Sequence, residues 1–199
     1  MPKRPVFRIG VFAPTTVQLL DLAGVDIFHM ASHAYLALLT DLVPASLLAL
    51  APDVEIMYIS QVPPGSLLPL TADMKIVTTH HYTDAAVAPG RLNVVYIPGP
   101  DPAMTWDADA KAWLVRQAET EGVDILSICT GIFVCGDAGL LRGRKASGPR
   151  GLQGVIKKKF DGVELVGEEY RWVKDGNLWS SGKFSFSSTT LLDAIRFSV

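Results

Sequence analysis

The chain has few cysteines, no excess of basic charge and no uninterrupted hydrophobic run, and each shortage closes off a class of function. Its two cysteines, Cys129 and Cys135 among 199 residues, are too few for a disulfide-stapled scaffold or a structural zinc site. Their spacing is also not that of a thioredoxin-type pair. Lys and Arg number 18 against 20 Asp and Glu, so a net charge of −2 offers nothing to neutralise phosphates, and no nucleic-acid partner is expected. The most apolar stretch, Leu36 to Leu50, is broken by Thr40, Asp41 and Pro44, which argues against a membrane span. The opening residues MPKRPVFRIGVFAP lack an apolar run followed by a small-residue cleavage site, so no signal peptide is expected and a cytoplasmic location is read. Neither a G-x-G-x-x-G or phosphate-binding loop nor a metal-ligand cluster occurs; no cofactor and no metal are expected.

What is there suits one globular domain over 1–199, with 49% hydrophobic and only 19% charged residues and no repeat or linker. Short apolar runs at 7–12, 54–59, 93–97 and 124–128 read as strands. Helical spacing falls between them at 19–39, 109–121, 130–141 and 153–160, and a closing helix is expected at 189–197. Residues 67–77 suggest a small hairpin, and 169–173 with 177–181 flank a turn at Lys174-Asp175-Gly176. Continuous apolar strands alternating with helices predict an α/β architecture, a mostly parallel sheet covered on both faces.

The stretch Ile125-Leu126-Ser127-Ile128-Cys129-Thr130-Gly131-Ile132-Phe133 carries the chemistry. A core strand ends at a cysteine and a helix begins at once through small residues, the pattern of a nucleophile elbow. The bend forces its central residue into a strained backbone region, and its neighbours must be small so that helix and strand can approach. At a helix N-terminus a thiolate gains from the free N–H groups and the dipole. Cys129 is therefore either a nucleophile or a small buried hydrophobe, whereas Cys135 reads as core.

With the tail Ala138-Gly139-Leu140-Leu141-Arg142-Gly143-Arg144-Lys145-Ala146, this segment resembles the ThiJ/PfpI superfamily, also called class I glutamine amidotransferase-like. Leu20-Asp21-Leu22-Ala23-Gly24, Val95-Tyr96-Ile97-Pro98-Gly99 and the 172–182 segment agree in order and spacing. Within the superfamily the chain is similar to the isonitrile hydratase type, whose members pair a Cys-Thr-Gly elbow with an aspartate after the first strand. Here those positions are Cys129, Thr130 and Asp21. The resemblance implies a flavodoxin-like three-layer sandwich and, usually, a homodimer acting on a small molecule.

Histidine is the informative shortage within that resemblance. Cysteine proteases and amidotransferases need an imidazole to carry protons, yet His29, His33, His80 and His81 all precede the elbow. PfpI-type proteases place histidine directly after the cysteine, where this chain has Thr130, and amidotransferases carry a downstream His-x-Glu that is missing. His29 and His33, four apart on one expected helix, read as ordinary helix residues. Asp21, set between Leu20 and Leu22, is then the acid/base candidate, with capping of the helix near Ala23 as the other reading.

The expected reaction is cofactor-free hydration of an isonitrile to an N-substituted formamide, with Cys129 as nucleophile, Asp21 as acid/base and Thr130 as orienter. Its first step builds no oxyanion, which suits Pro100, a residue with no N–H, where many relatives have glycine. Gly99, Gly131 and Arg150 are the expected substrate-binding positions, the N–H groups of Gly99 and Thr130 remaining as donors. Arg150 is alternatively a surface or dimer contact. Two other readings are a glyoxalase-type hydratase of 2-oxoaldehydes and a non-enzymatic redox-sensing or chaperone-like member.

Overall fold

The computed structural model describes residues 4–182. In chain order its first half holds β1 (Val6–Phe12), α1 (Ala23–Met30), α2 (His33–Leu36), α3 (Ala45–Leu50), β2 (Asp53–Ser60), β3 (Leu67–Pro69), β4 (Lys75–Val77), β5 (His80–His81) and β6 (Val94–Ile97). There follow α4 (Ala108–Ala118), β7 (Asp124–Ile128), α5 (Gly131–Asp137), β8 (Lys145–Ala146), α6 (Gln153–Lys159), β9 (Glu164–Leu165), β10 (Trp172–Asp175) and β11 (Leu178–Ser181).

The apolar runs pair as a seven-stranded sheet in the order β10-β11-β7-β6-β1-β2-β5. Every neighbouring pair is parallel except the hairpin β10–β11, which turns through Gly176 at φ +60°. Because strand side chains alternate, successive residues feed two cores. Phe12, Ile59, Val95, Ile97, Ile125 and Leu178 face one cluster, shared with Trp113 of α4, Ile132 of α5 and Ile156 of α6. Ile9, Val11, Val94, Tyr96, Leu126, Ile128 and Trp179 face the other, beneath Val25 and Phe28 of α1. Helices thus cover both faces of a mostly parallel sheet, the α/β sandwich that the alternation of runs predicts.

The expected 67–77 hairpin is present as β3 and β4, paired Leu67 to Val77. The stretch 19–39 contains the expected first helix, α1, but is not one continuous helix. It opens as a 3-10 turn, Leu19–Leu22, runs as α1, and bends by 69° before α2. Ser32 causes the break: its backbone is extended (φ −72°, ψ 152°), and its hydroxyl accepts the Tyr35 N–H to start a new helix. His29 and His33 consequently sit on different helices and share no face. A further short helix, α3, follows Pro44, a residue suited to helix starts. Helix α5 stops at Asp137 rather than 141, since Gly139 takes the left-handed conformation (φ +78°) that ends helices. The small parallel pair β8–β9 has no counterpart in the sequence reading. The helix expected at 189–197 lies outside the described residues. No single described helix is long and apolar enough to cross a membrane.

Candidate active site

Strand β7 ends at Ile128, helix α5 begins at Gly131, and Cys129 at the bend has φ +55°. An L-residue with a side chain pays for that conformation, so the surroundings must impose it. They do so from both sides. The Cys129 N–H donates to the Ser181 carbonyl at 2.9 Å, continuing the β7–β11 ladder past the strand end. The Thr130 hydroxyl donates to the Pro100 carbonyl at 2.7 Å, tying the start of α5 to the loop after β6. Thr130 is itself buried.

Gly131 makes the bend possible. A Cβ there would overlap the Ile97 carbonyl oxygen, a backbone atom of a central strand that has nowhere to go. Gly131→Ala is therefore expected to destabilise the fold by about 1–3 kcal/mol or more, the range for overpacking a core, seen as a lower thermal midpoint. An unchanged midpoint would contradict this packing. The role follows from geometry: Gly131 packs its bare face on β6.

Asp21 sits in the 3-10 turn Leu19–Leu22 and is only 2% exposed. It does not cap α1, whose N-cap is Leu22 with no side-chain hydrogen bond. Its carboxylate Oδ2 instead accepts the Gly99 N–H at 3.1 Å, and its side chain interacts with that of Cys129. Its main-chain carbonyl accepts the buried Tyr96 phenol at 2.6 Å. Gly99 permits this convergence, since a Cβ there would stand 2.5 Å from both Asp21 Oδ2 and Thr130 Oγ1.

Burial makes both the carboxyl and the thiol harder to ionise, and the carboxylate adds to the effect on the thiol. Burial raises Asp21 above the ordinary carboxylate value of 3.8, against the Gly99 N–H and Cys129, which favour the anion. Cys129 is pushed up to about 11, first by burial and then by the charge of Asp21, with the Thr130 N–H pulling the other way. This reverses the expectation that the helix start would favour thiolate. The helical N–H groups are present, but a half-buried sulfur facing a carboxylate outweighs them. The buried Cys135 is pushed up further, to about 12, by burial, in keeping with a core role.

Of the two donors expected for substrate, the Gly99 N–H serves Asp21 and the Thr130 N–H faces the Cys129 sulfur, while the Thr130 hydroxyl serves Pro100. That hydroxyl also faces the sulfur. Arg150 is exposed and its Nε donates to the Gly167 carbonyl at 3.2 Å, not to any group of the elbow. Two residues that build the site escaped the sequence reading, Tyr96 and Ser181. A tyrosine inside an otherwise apolar core strand was the available signal, because a buried phenol needs a partner.

The DJ-1/PfpI family model matches residues 41–191. Among solved structures, a two-domain protein from Anabaena variabilis with DJ-1/ThiJ/PfpI-like and ferritin-like domains is 16% identical with TM-score 0.73. That match covers 96% of this chain but 49% of the other, so the chain spans about half of that protein. A ThiJ/PfpI family protein from Pseudomonas syringae is 19% identical with TM-score 0.67, over 99% of this chain and 76% of its own. An AraC family transcriptional regulator from Pseudomonas putida is 12% identical with TM-score 0.68, over 96% and 91%. No curated protein matches the chain significantly. At such identities the structural likeness speaks for the fold, and the family model, spanning most of the sequence, speaks for descent: the chain belongs to the DJ-1/PfpI family.

Proposed function

We propose that the protein is a cofactor-free hydratase that converts a small isonitrile to an N-substituted formamide, acting as the homodimer its resemblance implies. One observation carries the reading: a buried carboxyl, held by the Gly99 N–H, that interacts with the elbow thiol. A pair holding one proton between sulfur and carboxyl supplies a nucleophile and an acid together once the proton sits on Asp21.

In the proposed reaction the Cys129 sulfur lone pair adds to the terminal isonitrile carbon while Asp21 gives its proton to the same carbon. The product is a thioimidate, in which the C–N triple bond has become a double bond. Water then adds across that double bond, its hydroxyl to carbon and its proton to nitrogen. Asp21, now a carboxylate, removes the hydroxyl proton as the C–S bond breaks, and formamide leaves with the thiolate restored. The proton returns to the pair and all atoms balance as isonitrile plus water. The attacked atom bears no oxygen, so the first step asks for no oxyanion donor. An acyl-transfer enzyme would need one, and Pro100 cannot supply it.

Incubation with an alkyl isonitrile should yield the N-alkyl formamide by NMR. Lactate from methylglyoxal without formamide would establish the glyoxalase reading instead. Conversion of Cys129 to sulfinate by mild peroxide with neither product would establish the redox one.

A further inference from the structure

Asp21 reaches its place from a 3-10 turn with an exposed neighbour, Leu20, at 68% exposure, yet the carboxylate must be held against one sulfur atom. Strand β6 and its loop grip this residue at two points. The Gly99 N–H holds the carboxylate, and the Tyr96 phenol, three residues back on the same backbone, donates to the Asp21 main-chain carbonyl at 2.6 Å. The loop after β6 also takes the Thr130 hydroxyl, and β6 lies beside β7, which leads directly into Cys129, with Ile97 opposite Ser127. Acid and nucleophile are thus registered on one strand.

We propose that Tyr96 is a positioning residue for the acid/base, setting the Asp21 carboxyl against Cys129 through the Asp21 main chain. The inference rests on the hydratase reading of this pair. Tyr96 is 1% exposed and stands edge-on to Phe28, with ring centroids 6.4 Å apart at 89°. Its hydroxyl lies against α1, where Gly24 makes room: a Cβ at Gly24 would overlap the Tyr96 oxygen. Glycine inside a helix costs stability against alanine, and here it admits the phenol. Burial, then the charge of Asp21, push Tyr96 far above the ordinary phenol value, so it stays a donor throughout the working pH range.

Tyr96→Phe removes only the hydroxyl. Its expected effect is a roughly tenfold lower kcat with KM little changed, the kind of loss a small misplacement produces. The pH profile of Cys129 alkylation by iodoacetamide should move to lower pH as the carboxyl retreats from the sulfur. Asp21→Asn measured alongside should move it further in the same direction. Gly24→Ala, which keeps the phenol but displaces it, should reproduce the Tyr96→Phe shift and keeps the question open to test if Tyr96→Phe does not fold. A lower melting temperature with wild-type alkylation profile and kcat in the folded variant would make Tyr96 merely structural and overturn the inference. In that case a shifted profile in Asp21→Asn leaves the acid/base pair standing. Unchanged profiles in both would overturn the two together.

Discussion

Cys129→Ala and Cys129→Ser are both expected to abolish formamide formation, leaving less than about a thousandth of wild-type turnover, the scale on which loss of a covalent nucleophile is felt. The serine variant is the sharper of the two. It keeps an atom that can donate to Asp21 and accept from the Thr130 N–H, so a purely hydrogen-bonding role for position 129 would survive it. Serine still fails as a nucleophile here, because its hydroxyl ionises far above a thiol and the groups acting on position 129 are Asp21 and Thr130, with no histidine among them to take its proton. A carboxylate is too weak a base to replace one, even with its pKa raised by burial. Alkylation gives an independent readout. Cys135 is fully buried, so intact-mass labelling should fall from one adduct to none in either variant. Full turnover in Cys129→Ala would end the covalent proposal.

The elbow was legible in the letters, and so were the strands that feed it. Ile125 to Ile128 is apolar apart from Ser127 and is followed at once by small residues, which marks a strand-to-helix bend, and the close approach of Gly131 to Ile97 is the packing that the small residues serve. Asp21 was legible only through its motif after the first strand. Composition could not say whether it caps α1 or meets Cys129, since that depends on where a distant strand puts Gly99. The break at Ser32 was hidden because apolar spacing continues through it, and periodicity does not register one side chain capturing a backbone N–H. Strand β5, His80–His81, was missed for a related reason: it is short and polar, and exists only because β2 offers it an edge. The direction of the thiol pKa was misjudged because the helix start is a local feature, whereas burial and the Asp21 charge are supplied by the tertiary fold.

The second large effect is expected from Asp21→Asn, in which hydration and thiol reactivity should move in opposite directions. The amide cannot deliver or remove a proton, so kcat should fall by about 10²–10⁴-fold, the usual contribution of a positioned acid/base. The thiol should meanwhile ionise more easily. In the wild type the last proton leaves Cys129 at about 11 because sulfur is half-buried and the anion would face a second anion. Asparagine removes that charge, keeps a carbonyl for the Gly99 N–H and turns an N–H donor toward sulfur. Iodoacetamide should therefore label the variant faster than wild type at pH 8. Stability follows with a definite sign. Asp21 has a higher pKa folded than unfolded, so above the unfolded value of 3.8 the folded chain holds more protons than the unfolded one. Stability then falls as pH rises through the folded value. Cys129 adds the same trend between 9.0 and about 11. Asp21→Asn removes the first contribution, so its melting temperature should gain on wild type as pH rises from about 4 to 7. A variant that hydrates poorly, alkylates quickly and melts higher at neutral pH is what a carboxyl kept for chemistry at a cost in stability produces. Slower alkylation together with a lower melting temperature at pH 7 would instead make Asp21 a structural anchor.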